Sequence, residues 1–224
     1  MRVFGLSPAH IMIALGLDPS LTGFGWCIHD SLASGTARVM AKGRWSTSPK
    51  DIWVARYVEL REAVKALIDR YVLIEAVGVE SPPFGEQFSE GLYALFVMVN
   101  EAVWSRRRDV VHFDPGTVKM LTKQDPRQRK GKMFKSDMIE AAKHDTSVAR
   151  WNADEADAYH IARFAARFWL LLRGEISIDD LTPSEYRAFA REHTFVRGKR
   201  AGQTVHSGAI FKEDQRYFRF SSLP

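Results

Sequence analysis

Four acidic residues stand out in the 224-residue chain by type and placement. Asp18 closes the apolar run Ile11 to Leu17, and Glu80 closes the shorter run Val77-Gly78-Val79. Asp154 and Asp157 lie three apart at the start of a helical pattern, so they share a helix face. Acids at strand ends and acids at a helix start can meet at one edge of an α/β sheet. Four carboxylates in one place repel strongly, and divalent cations are the usual means of neutralising them. An all-oxygen ligand set selects hard ions, magnesium or manganese, over zinc. Two such ions about 3.5–4 Å apart can activate a water and stabilise the leaving oxygen of a phosphodiester. Taken singly, each acid has an ordinary explanation. Asp18 before Pro19 suits a turn, Glu80 before Ser81-Pro82-Pro83 suits a solvated loop, and Asp154 and Asp157 suit a helix start.

The charge pattern favours the joint explanation. The chain carries +5 overall, but Lys119, Lys123, Arg127, Arg129, Lys130, Lys132 and Lys135 face a single acid, Asp125, within 17 residues. That segment is +6 and the remainder sums to −1. Positive charge this local is the footprint of a phosphate-binding surface. It falls between the second and third acids, so metal-assisted hydrolysis of a polyanion is the chemistry these residues suggest.

The elements that must position them follow from the apolar pattern. Hydrophobic residues make up 46% and charged residues 26%, ordinary for a globular protein and unlike a collagen or a disordered chain. The single cysteine, Cys27, excludes an intramolecular disulfide framework and a cysteine-based zinc cluster, and fits a cytoplasmic setting. No apolar run approaches the roughly 20 residues of a membrane span. Ile11 to Leu15 is interrupted upstream by Ser7, Pro8 and His10 and runs straight into Asp18-Pro19, so it reads as a buried strand rather than a signal peptide. Strands are expected at Ile11 to Leu17, Thr22 to Ile28, Val39 to Trp45, Val77 to Val79 and Val110 to Phe113.

Helices are expected from a Ser48-Pro49 start through Tyr71, from Phe88 to Arg106, from Phe134 to His144, and from Asn152 past Phe168. Asn152 and Glu155 have the spacing of a capping box. Three meandering strands followed by alternating elements give a mixed sheet covered by helices, an α/β domain. Residues 173–224 read as an extension, with a short helix opened by Thr182-Pro183-Ser184-Glu185 and then a basic polar tail.

Gly16-Leu17-Asp18-Pro19-Ser20-Leu21-Thr22-Gly23-Phe24-Gly25 resembles the opening motif of the RuvC family of Holliday junction resolvases. Glu80 after Val77-Gly78-Val79 resembles that family's second acid, and Asp154-Glu155-Ala156-Asp157-Ala158 resembles its closing helix. Thr117-Val118-Lys119 and Phe134-Lys135-Ser136 are similar to segments in which the family carries two lysines important for cleavage. The resemblance spans about Met12 to Phe168. It implies a ribonuclease H-like mixed five-stranded sheet flanked by helices over residues 1–172. It also implies a homodimer acting on branched DNA, four-way junctions above all, with two magnesium ions per active site (manganese as a substitute).

By the same resemblance Asp18, Glu80, Asp154 and Asp157 are metal ligands, and Lys119 and Lys135 stabilise the reacting phosphate. Phe84 falls where the family often stacks an aromatic on junction bases. The ten residues before the first strand, the long basic stretch Thr122 to Met133 and the extension after Leu172 depart from the family pattern. They suggest a divergent, phage-encoded member, working in the host cytoplasm and with a broader taste for branched DNA.

Three other functions share some of these features. A sugar-kinase or actin-type phosphotransferase also opens on a strand-Asp-hairpin, but it needs two related domains to clamp a nucleotide, and 224 residues do not hold both. No membrane contact and no nucleotide cofactor are expected. A ribonuclease acting on RNA–DNA hybrids shares the fold. A DNA-binding scaffold with a decayed site would not be expected to keep all four acids.

Overall fold

In the computed structural model the described residues are 11–32, 37–82, 89–122, 133–189 and, from a short hairpin, 192–194, 201–202 and 204–206. Five strands form one sheet: β1 Ile11–Asp18, β2 Phe24–Leu32, β3 Ala37–Trp45, β4 Ala76–Glu80 and β5 Asp109–Phe113, in the order β3-β2-β1-β4-β5. β1, β2 and β3 meander antiparallel, while β4 and β5 run parallel to β1. The sheet is mixed and five-stranded, as expected.

Side chains on a strand alternate between faces, and the two faces of this sheet carry different helices. Leu15 and Leu17 of β1, Phe24 and Ile28 of β2, and Val77 and Val79 of β4 are buried in one core with α1 (Trp53–Arg70) and α2 (Glu90–Ser105). The opposite face receives α5 (Ala153–Leu172), whose Ala156, Ala158 and Tyr159 pack with Cys27 and with Ala142 of α4 (Lys135–Asp145).

That second face is smooth for a reason the sequence supplies. Gly16 and Gly78 are register partners on β1 and β4, and Gly25 partners Asp18 from β2. A Cβ on Gly16 would run into the backbone of Ala158 and Ala162, one on Gly25 into the backbone of Asp154, and one on Gly78 into Ile161 and Ala165. Glycines on the sheet and small residues on α5 together let the helix lie directly on the strands.

Two expectations about elements need correction. α1 begins at Trp53, not at Pro49: Ser48 instead closes a turn, its hydroxyl accepting from the Lys50 amide at 3.2 Å and its carbonyl from the Asp51 amide at 3.1 Å. The preceding Thr47 is tied to Leu21, its hydroxyl donating to that carbonyl at 2.6 Å, so the chain must turn away before it can coil. A helix that the apolar pattern left out, α3 (Pro115–Thr122), follows β5 directly. Asp114 caps it, accepting from the Thr117 amide at 3.0 Å and hydroxyl at 2.7 Å.

The chain divides into two compact units, residues 1–167 and 168–224. The second holds a short 3-10 helix at Ile178–Asp180, α6 (Pro183–Phe189) and a hairpin of β6 (Glu192–Thr194) and β7 (Thr204–His206) that the tail's lack of periodicity did not announce. The expected helix start is there, with Glu185 accepting from the Thr182 amide at 2.8 Å. Within this unit Phe168 meets Phe189 edge-on, their centroids 5.7 Å apart.

Candidate active site

The register of β1 and β4 decides where the first two acids go. Gly16 pairs with Gly78 and Leu17 with Val79, so Asp18 and Glu80, each two residues past a paired glycine, end up side by side. Both lie on the α5 face by alternation. On α5, Asp154 is one turn before Ala158, which sits on Gly16, and Asp157 is one turn before Ile161, which sits on Gly78. The glycine bed that seats the helix therefore also carries its first turn to the carboxyl ends of β1 and β4. Asn152 fixes that turn, accepting from the Glu155 amide at 2.8 Å, while Glu155 accepts from the Asn152 amide at 3.3 Å.

The electrostatics show that the four acids act on one another. Burial raises Asp18 well above the usual carboxylate range. A hydrogen bond with Glu80 and the charges of Glu80 and Asp154 push the same way. Glu80 is raised too, by burial and then by the charges of Asp157 and Asp114, against the pull of its hydrogen bond with Asp18 and of the Lys119 charge. Asp157 is pushed up to about 7 by burial and then by the charge of Asp18, against the pull of Lys135 and Lys119. Asp157 Oδ1 is buried without a hydrogen-bond partner.

Asp154 is held differently. Its Oδ2 pairs with Arg44 Nε at 2.8 Å, and its Oδ1 lies 3.7 Å from Lys135 Nζ, on a side chain 72% exposed. The six residues singled out for catalysis thus gather at one sheet edge.

Phe84, Lys123, Arg127, Arg129, Lys130 and Lys132 lie outside the described residues. Two charged neighbours of these acids escaped the sequence reading. Asp114 is a fifth acid near Glu80, and the pair Asp114-Pro115, a cap followed by proline at the first helical position, could have revealed it together with α3. Arg44, on the edge strand β3, has no local signal at all.

Among the described residues no three acidic, histidine or cysteine side chains form a ready-made metal-binding group. The chemistry of the residues present nevertheless fits hard divalent cations. The donor set is all carboxylate oxygen. One of its oxygens is buried and unpartnered, and three of its four members are raised by one another's charge and by burial.

Two solved structures of Thermus thermophilus RuvC are similar to this chain. One is 21% identical, covering 73% of this chain and 97% of that one with a TM-score of 0.57. The other, in complex with Holliday junction substrate, is 22% identical, covering 67% and 90% with a TM-score of 0.55. The yeast mitochondrial Holliday junction resolvase is 10% identical, covering 70% of this chain and 78% of that one, with a TM-score of 0.50. No family model and no curated protein matches the sequence. The chain has the RuvC-like, ribonuclease H-like fold that its motifs implied. No helix among the described residues is long and apolar enough to cross a membrane.

Proposed function

We propose that this protein is a metal-dependent endonuclease that hydrolyses phosphodiesters in branched DNA, with four-way junctions as its preferred substrate. The observation that carries the reading is the gathering of Asp18, Glu80, Asp154 and Asp157 at one sheet edge, within electrostatic reach of Lys119 and Lys135. The Thermus fold relative bound to a Holliday junction supports the choice of substrate.

Asp18, Glu80, Asp154 and Asp157 would hold two magnesium or manganese ions, which when bound supply an activated water and neutralise the leaving oxygen. Asp18 and Glu80 share a hydrogen bond that needs a proton between them, which they would release to solvent on becoming ligands. Asp157 offers its unpartnered Oδ1 from the helix side. Lys119 and Lys135 keep the potential positive where the phosphate must approach, and this stabilises charge that grows as the bond breaks. Lys123, Arg127, Arg129, Lys130 and Lys132, by their charge, would add contacts to DNA backbone phosphates, and Phe84, by its type and its place in the sequence, would stack on a base. Two copies related by a two-fold axis would present two such sites to symmetry-related strands of a junction.

The decisive experiment incubates labelled four-way junction, flap, duplex and RNA–DNA hybrid with the protein, each with magnesium and with EDTA. Junction cleavage with magnesium only is expected. Asp18→Asn is expected to abolish it while junction binding persists or tightens, because a negative charge facing phosphate is removed. Preferred cleavage of the hybrid would replace the substrate assignment. Loss of both binding and cleavage in Asp18→Asn would give Asp18 a structural role instead.

A further inference from the structure

β3 is an edge strand, and its last residues before the loop to α1 contribute two cations to the α5 side of the sheet. Lys42 Nζ pairs with Glu155 at 2.5 Å and lies 4.9 Å from the centroid of the Trp151 ring, a contact that ties β3 to the start of α5. Arg44, two residues on and partnered with Gly25 across the strands, reaches the acid next to Glu155. Its Nε pairs with Asp154 Oδ2 at 2.8 Å, and its Nη2 donates to the Thr22 carbonyl at 2.8 Å. Gly23 makes this possible, since a Cβ there would lie 2.5 Å from Asp154 Oδ2 and 2.8 Å from Arg44 Nη2. The Arg44 side chain stays 45% exposed, whereas that of Asp154 is 20% exposed.

Asp154 therefore differs from its three neighbours. Asp18 and Glu80 satisfy each other through a shared hydrogen bond, and Asp157 keeps an unpartnered oxygen, but Asp154 is already neutralised by a guanidinium. A divalent cation drawn to Asp154 would repel the guanidinium and take up the carboxylate charge that holds it, so the ion and Arg44 compete for this side chain. A guanidinium fork fits a phosphate as well as it fits a carboxylate. We propose that Arg44 is a phosphate-binding residue that changes partners: Asp154 holds it in the free protein, and it moves to a DNA backbone phosphate beside the scissile one once Asp154 turns to a divalent cation.

This exchange rests on the nuclease reading above, and it makes opposite demands on two affinities. Arg44 competes with the ion for Asp154 when DNA is absent, and it holds DNA only when the ion is present. An arginine that merely props the strand against the helix would alter neither.

The test uses the full chain as wild type, Arg44→Ala and Arg44→Lys. Manganese is titrated by calorimetry without DNA, and binding of a fluorescent four-way junction is measured with calcium and with EDTA. Arg44→Ala is expected to bind manganese several-fold more tightly than wild type. Its junction affinity is expected to fall roughly tenfold in calcium, the scale of a lost charge-assisted hydrogen bond, and less than about twofold in EDTA. Arg44→Lys keeps the charge without the fork and is expected to fall between the two; Arg44→Gln replaces the alanine variant if that one does not fold.

Equal loss of junction affinity with and without calcium would overturn the exchange, as would unchanged manganese affinity. A wild-type protein that binds neither manganese nor junction overturns the nuclease reading and the exchange with it. Normal wild-type binding beside an unresponsive Arg44→Ala overturns the exchange alone.

Discussion

Replacing Asp157 by asparagine separates the cost of gathered negative charge from every other role of the side chain. Burial and the charge of Asp18 push Asp157 from an ordinary 3.8 up to about 7. Below pH 3.8 the group is protonated in both folded and unfolded chains and its ionisation costs nothing. As the pH rises from 3.8 to 7, the unfolded chain ionises while the folded one does not, so the fold loses stability throughout that window. Above 7 the loss is constant. Every tenfold change in proton affinity corresponds to about 1.36 kcal/mol, so the rise from 3.8 to about 7 sets an upper bound of about 4 kcal/mol. The carboxyl is not wholly cut off from water, so about half of that, roughly 2 kcal/mol, is the expected gain for neutral, isosteric Asp157→Asn at pH 8.

For a chain of this size roughly 2–4 °C accompanies each kcal/mol, so the melting temperature should rise by about 4–8 °C at pH 8 in EDTA. At pH 4.5 the gain should shrink to about a quarter of that. Thermal melts followed by circular dichroism at the two pH values read the difference directly. Magnesium should reverse the order at pH 8, since only the wild type keeps the ligand. A variant destabilised equally at both pH values would refute the reasoning, because the ionised carboxylate would then be a stabilising contact instead of a repelled charge.

Three further outcomes can be measured separately. Lys119→Ala should slow junction cleavage by at least about tenfold while weakening binding much less, on the scale of lost electrostatic stabilisation of a transition state; a binding defect alone would remove its catalytic role. Gly16→Ala should cost the fold about 2–3 kcal/mol or more in urea unfolding, because the new methyl meets the Ala158 backbone and no flexible side chain can yield there. A neutral result would mean that α5 does not rest on β1 as described. His160 is buried and held down to about 4, with His29 beside Tyr159 held down to about 3. Both stay neutral when folded but protonate below about 6.5 when unfolded. The stability that neutral His160 carries above pH 6.5 should fall away as the pH drops toward 4, by up to about 3 kcal/mol. A His160→Gln variant whose acid unfolding curve matches the wild type would contradict this.

Much of the site was legible because each acid sits where its own neighbourhood requires. Asp18 and Glu80 both follow a glycine at two residues' distance, and both end apolar runs, so their places at strand ends could be read directly. Their adjacency could not, because register is a property of two strands and the sequence states only one at a time. The helix carrying Asp154 and Asp157 was announced by its Asn152–Glu155 cap, and its docking depended on glycines on three different strands. Ser48-Pro49 has the chemistry of a helix start but makes a turn instead. There the tertiary tie of Thr47 to Leu21, with Arg56 Nε donating to the Thr47 hydroxyl at 2.8 Å, overrides local preference. The β6–β7 hairpin has three-residue strands, too short for alternation to register.

Arg44 was invisible for a different reason, and it bears on how this fold tolerates its own site. Four carboxylates brought together by backbone packing must be neutralised before any ion arrives, or the chain could not fold around them. The structure does this three ways. Asp18 and Glu80 share a hydrogen bond, Asp154 pairs with Arg44 and faces Lys135, and Asp157 is pushed toward its neutral form. Lys119 and Lys135 come from the segment whose sequence already marks it as basic, but Arg44 comes from an otherwise ordinary edge strand. A carboxylate cluster held in this way is assembled by the fold rather than assembling it, unlike a zinc finger, in which metal binding drives folding. Under the proposed function, cations would act on a scaffold that is already formed, and their binding would compete with protons at Asp18, Glu80 and Asp157 and with the guanidinium at Asp154. On that reading affinity for the ion should rise with pH, and the exchange proposed for Arg44 would set how much of that rise the free protein can use.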